Sequence, residues 1–109
     1  KMAILKVEYK GKNYDLGFTR NSVVMMERNG FDVGKISHMP MTMIPLLWQG
    51  AFVAYNKGVK RSLMDEIYDN LPNRQELLGA LTELYAETLN TLTDDPEESQ
   101  GNAKWEIVR

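Results

Sequence analysis

Apolar and polar positions alternate at the start of the chain. Leu5, Val7 and Tyr9 are separated by Lys6 and Glu8, the period-two signal of a half-buried strand. Lys10-Gly11-Lys12-Asn13 supplies turn chemistry, and Tyr14, Leu16 and Phe18 then resume the alternation. The pattern predicts a β-hairpin over residues 3–18 with its turn near Gly11. Two strands alone are marginal in water, so the apolar face should rest on a helix.

From Arg20 onward the period lengthens. A first helix is predicted over residues 20–29, with Thr19 as N-cap and Phe18 and Val23 as a hydrophobic staple. Gly30 fits a left-handed terminator, and Phe31 should fold back on Met26. Residues 32–42 read as a loop. A second helix is predicted over 43–56, with Thr42 capping it and Pro45 in its first turn. Ile44, Trp48 and Phe52 form one row along it, and Leu47, Ala51 and Tyr55 another. A helix apolar nearly all round needs burial on several sides, or a partner. Gly50 costs it about 1 kcal/mol relative to alanine, unless another helix needs the space.

A third helix is predicted over 60–70, with Leu63, Met64, Ile67, Tyr68 and Leu71 as its stripe. A fourth is predicted over 73–93, opened by capping-box spacing at Asn73 and Glu76. Its stripe runs through Leu77, Leu78, Leu81, Leu84, Tyr85, Leu89 and Leu92. The short link at Pro72 predicts that these two helices pack as a hairpin. Asp94-Asp95-Pro96-Glu97-Glu98 then breaks the pattern. Residues 96–109 are expected to be an acidic, flexible tail in which 104–108 either adds a short strand or stays mobile. The expected fold is α+β and mainly helical: one domain over residues 1–95, with an N-terminal hairpin packed on about four helices.

Composition narrows the chemistry. The 109 residues suffice for one ordinary domain, and 43% hydrophobic with 26% charged residues is a normal globular mix. With no cysteine, disulfides and thiolate metal sites are excluded. A net charge of −2 gives no general pull on nucleic acid. The longest apolar stretch, Met39 to Trp48, falls short of the roughly 20 residues a membrane span needs. Neither a nucleic-acid nor a membrane partner is expected.

No enzyme motif stands out. His38 is the only histidine, in a loop with no cysteine near it, and reads as incidental. Asp65 and Asp69 share a helix face but lie opposite the apolar stripe, so a solvated face is the better reading. Lys57, Lys60 and Arg61 read as a solvated turn beside a helix too apolar to face DNA. The four serines have no nearby base, and no phosphate loop or dinucleotide fingerprint is present. No catalytic residue, metal or cofactor is expected.

The most informative feature is the density of methionine and aromatic residues between 39 and 55. Met39, Met41 and Met43 alternate in the segment leading to Trp48 and Phe52. Methionine adapts to irregular surfaces, and tryptophan is enriched at binding hot spots. Met39, Met41, Met43, Trp48 and Phe52 are therefore the candidate protein-binding residues. The competing reading is core filling, favoured for most of the helix, with the Met39–Met43 segment the best candidate for an exposed patch.

Several strings, in this order, resemble a known family. They are the Gly11-Lys12-x-Tyr14 hairpin leading to Phe18, Val23 through Met26-Glu27-Arg28, and Gly30-Phe31-Asp32. Met39-Pro40-Met41-Thr42-Met43-Ile44-Pro45, Ala51-Phe52, Asp65-Glu66-Ile67, Leu71-Pro72-Asn73, Leu81 through Leu84-Tyr85, and Lys104-Trp105-Glu106 follow. Together they resemble the phage tail assembly chaperones of siphophages and prophages of Gram-positive bacteria. The resemblance implies a non-enzymatic protein of the bacterial host cytoplasm, absent from the mature virion. It implies binding to the tape-measure protein, and in longer frameshifted forms to tail-tube subunits, with self-association compatible with that role. It carries no binding residues over. The alternatives are a small DNA-binding regulator of a mobile element, which the acidic balance disfavours, and a structural tail component.

Overall fold

A computed structural model describes residues 3–96 and 101–109. The element order is β1 (Leu5–Tyr9), β2 (Lys12–Leu16), α1 (Arg20–Arg28), one 3₁₀ turn (Val33–Lys35), α2 (Pro40–Val53), α3 (Arg61–Asp69) and α4 (Arg74–Asn90). The fold is α+β and mainly helical, with an N-terminal antiparallel hairpin followed by four helices. Among the described residues, no helix is long and apolar enough to cross a membrane.

Hairpin register pairs Leu5 with Leu16, Val7 with Tyr14 and Tyr9 with Lys12. Lys10 and Gly11 both take positive φ, 50° and 77°, the backbone of a two-residue turn whose twist matches the strands. Val7, Tyr14 and Leu16 are buried on the inner face, while Lys6 and Asp15 pair across the outer face at 3.6 Å. The hairpin is seated on α2. The Gly17 amide donates to the Ala51 carbonyl at 3.0 Å, and Asn56 Nδ2 donates to the Asp15 carbonyl at 2.6 Å.

The α1 boundaries follow from local chemistry. Thr19 Oγ1 accepts from the Ser22 amide at 3.1 Å, and Ser22 Oγ accepts from the Thr19 amide at 2.9 Å, a reciprocal cap. At the other end Gly30 has φ 95°. Its amide bonds the Glu27 carbonyl and the Phe31 amide bonds the Met26 carbonyl, a Schellman motif with Met26 and Phe31 buried together.

Three expectations are corrected. First, α2 begins at Pro40, not Met43. Met39 is its N-cap, without a side-chain cap bond, and Thr42 lies inside the first turn. Pro40 has the fixed φ that suits a first helical position, so Pro45 falls inside the helix, where it has no amide hydrogen to give the Met41 carbonyl. Second, Asn73 takes a left-handed φ of 55° and makes no side-chain cap bond, so the capping box with Glu76 does not form. An N-cap normally needs extended backbone to aim its side chain at the first-turn amides. Third, α3 and α4 do not pack chiefly on each other: α3 packs on α2, and α4 packs on α2 and α1. The α4 stripe also stops short of Leu92, which lies beyond the helix and is 70% exposed. Residues 104–108 form no strand, and every residue of 101–109 is exposed. The expected flexible link falls partly on 97–100, outside the described residues.

The core therefore surrounds α2. Its Leu47, Trp48, Ala51 and Phe52 are essentially buried, and the helix contacts α1, α3, α4 and β2. Gly50 meets α1: a Cβ placed there would lie 2.5 Å from Met26 Sδ and 2.7 Å from its Cγ. Its absence lets Met26 pack against the helix backbone. On the other flank Tyr85 of α4 sits edge-on between Phe18 and Phe31, at centroid distances of 5.5 and 5.2 Å. Thr88 Oγ1 donates to the Phe18 carbonyl at 3.3 Å, tying α4 to the entry of α1.

Two outcomes follow from this packing. Gly50→Ala would gain about 1 kcal/mol of helix propensity on an open helix, but overpacking costs about 1–3 kcal/mol. It is therefore expected to give no gain here, and to give the gain only in a Met26→Ala background, measured by urea unfolding. Burial raises the Tyr85 phenol above its ordinary 10.0, with the charges of Glu27 and Asp32 adding to the effect. Such a group stabilises the fold fully below its unfolded pKa, and that contribution is lost as pH rises through the folded one. Stability should therefore fall above pH 10, with a shallower slope in Tyr85→Phe; equal slopes in denaturant titrations would refute the assignment.

Candidate functional site

The first half of α2 and the outer side of α3 enclose an apolar groove of about 380 Å³. Pro40, Met41, Ile44 and Pro45 form one wall, Tyr68 the other, Trp48 the floor, and Asp65 and Asp69 the rim. The antiparallel course of the two helices is marked at one end by Gln49 Nε2 donating to Asp65 Oδ1 at 3.0 Å.

Trp48 is held from three directions. Its indole N–H donates to the Met64 carbonyl at 2.7 Å, and its ring meets Phe52 at 5.0 Å and Tyr68 at 5.3 Å. Because that N–H is already spent inside the protein, Trp48 offers the groove an apolar surface and no donor. Arg74 stacks over the Tyr68 ring at 5.4 Å, steadying the opposite wall.

The structure divides the five residues singled out from sequence. Met41 is 90% exposed and Met39 47% exposed, whereas Met43, Trp48 and Phe52 are at most 4% exposed. Met41 stands on the lip of the groove and Trp48 beneath it. Met43 and Phe52 pack in the core and do not line the groove. The α3 side was not legible as a site. Asp65 and Asp69 are exposed, as a solvated face should be, yet they also rim an apolar cleft. The available signal was Tyr68 beside them, in register with Trp48 across the helix pair.

Other candidates are dispersed. His38 is exposed, and its Nδ1 lies 3.3 Å from Ser37 Oγ, which corrects the expectation that no serine has a base nearby; Lys57, Lys60 and Arg61 are exposed around the α2–α3 turn. Among the described residues, no three His, Asp or Glu side chains converge as a metal site. A second, smaller groove of about 290 Å³ lies between α1, α2 and the start of α3, with the exposed Met25 and Val53 in its lining. What the first groove can do chemically is bind an apolar group by shape, with two carboxylates beside it to favour a cation.

Comparison with known sequences places the chain. It belongs to the DUF5055 family, described as a domain of unknown function. The match covers residues 2–108, so the groove of this DUF5055 protein lies wholly within the family domain. No curated protein and no solved structure matches it.

In the DUF5055 groove, Trp48→Phe removes the donor to Met64 and part of the floor. Loss of a buried hydrogen bond and of packed volume should lower stability by roughly 2 kcal/mol. The check is a lower urea midpoint at unchanged slope, since a changed slope would mean a different extent of unfolding.

Proposed function

We propose that this protein is a non-enzymatic phage tail assembly chaperone, which binds the tape-measure protein in the host cytoplasm while tail-tube subunits polymerise around it. One observation carries the reading. Met41 is 90% exposed at the lip of an apolar groove floored by a pinned tryptophan. A large flexible apolar side chain held in water beside a cleft is suited to an apolar partner. A long helical protein with one apolar face presents such groups repeatedly, and a small binder can cover it with many weak contacts. The Asp65 and Asp69 rim favours basic residues flanking the anchor. The ordered strings from Gly11 to Glu106 that resemble the tail chaperones support the same role.

The test is co-production of the chain with its cognate tape-measure protein, comparing wild type with Met41→Asp. Burying one methionine contributes roughly 1.5–3 kcal/mol, so the variant should bind about 10- to 100-fold more weakly. With 90% of the side chain in water, its unfolding midpoint should not move. Unchanged co-purification by a folded variant would overturn the contact. Failure of the wild type to retain the tape-measure protein would overturn the role.

A further inference from the structure

The C-terminal segment poses a problem of unburied apolar surface. Trp105 is 86% exposed, Ile107 66% and Val108 86%. In an extended conformation Trp105, Ile107 and Arg109 would lie on one side and Lys104, Glu106 and Val108 on the other. The first side thus presents two apolar groups followed by a cation. The groove presents the complement, an apolar floor and walls with Asp65 and Asp69 on its rim.

The dimensions also agree. From Pro40 to Trp48 the α2 wall rises about 12 Å at 1.5 Å per residue. From Trp105 to Arg109 an extended segment spans about 13 Å. Trp105 seated at one end would therefore bring Arg109 to the other, with Ile107 between them and Glu106 turned away from the acidic rim. The segment does not occupy the groove of its own chain, since all its residues are exposed.

We propose that residues 104–109 of one copy dock in the α2–α3 groove of a second copy, with Trp105 as anchor and Arg109 paired with the Asp65/Asp69 rim. The contact is small against the roughly 1,200–2,000 Å² of a standard stable interface, so it is reversible, and reciprocal exchange would close a dimer. The tail then occupies the same cleft as a partner protein would, so self-association and partner binding compete. The proposal does not rest on the assembly role, because it concerns only copies of this chain.

The experiment is sedimentation velocity on the purified full chain over a concentration series, with no other protein present. Wild type should shift from monomer to dimer with increasing concentration. Trp105→Ala, which keeps the groove, and the double variant Asp65→Lys/Asp69→Lys, which keeps the tail, should each stay monomeric at unchanged unfolding midpoints. Mixing the two variants should give association weaker than wild type, because the pair supplies one intact groove and one intact tail and so makes one of the two reciprocal contacts. A wild type monomeric at every concentration overturns the proposal, whether or not its tail docks in cis. Association that survives Trp105→Ala, or that survives Asp65→Lys/Asp69→Lys, overturns it equally. Failure to bind a tape-measure protein would leave these outcomes unaffected, so the two readings fail separately.

Discussion

Cover for α2 is the constraint on which the structure depends. A 14-residue helix with apolar residues on every side cannot sit on a surface. The chain answers by laying something against most of its circumference: α1 through Met26, α3 through Met64, the hairpin through the Gly17–Ala51 backbone bond, and α4; only the face of Met41 and Pro45 stays open. Apart from the 17-residue α4, each has a short apolar stripe of its own and little reason to be stable alone. A two-stranded sheet and nine-residue helices are below the size that holds in isolation. Their stability is thus borrowed from the central helix.

The joins are made by polar groups spending their capacity inward. The Trp48 indole bonds the Met64 carbonyl, Asn56 bridges the end of α2 to β2, and Thr88 ties α4 to Phe18. Arg20 reaches from α1 to the Thr91 carbonyl and hydroxyl past the end of α4. Each bond contributes only about 1 kcal/mol net, but each also fixes direction, which apolar contact does not. Burial sets how strongly α2 is covered; these bonds set the angle at which each neighbour arrives.

Local chemistry was legible where a residue had one physical option. Gly30 at positive φ, the Thr19 cap and the period-two hairpin all followed from steric or hydrogen-bonding limits internal to a few residues. The start of α2 was not legible, because Pro40 and Pro45 both suit a first turn and no local cap decides between them: Met39, the N-cap, makes no side-chain bond. That shift changed the site. In a loop, Met39, Met41 and Met43 would be equivalent. On a helix begun at Pro40, a step of two residues is a rotation of about 200°, so Met41 and Met43 face opposite ways. One is 90% exposed and the other 4%. Likewise Asn73 has cap-like spacing, but its left-handed backbone turns the side chain from the task. Partners distant in sequence, such as Asp65 and Tyr68 across from Trp48, carried only the weak signal of an aromatic residue beside two carboxylates, and nothing local says that they face α2.

The groove's chemistry follows from the same economy. Its floor is a tryptophan whose single donor is satisfied internally, and its wall contains two prolines that lack amide hydrogens. Directional recognition is thereby withdrawn from the floor and the α2 wall, leaving apolar shape, an exposed methionine, and polar groups only at Tyr68 and the two rim carboxylates. Such a surface discriminates poorly among apolar anchors and tolerates variation in their exact form. It gains selectivity only from charge placed beside the anchor. An extended segment with an aromatic anchor and a nearby cation meets those terms, and so does the apolar stripe of a helix flanked by basic residues. A cleft of this kind is better suited to being covered and uncovered in turn than to holding one ligand permanently, because its floor offers no hydrogen bond and its carboxylates lie on an exposed rim, where charge pairs are weak.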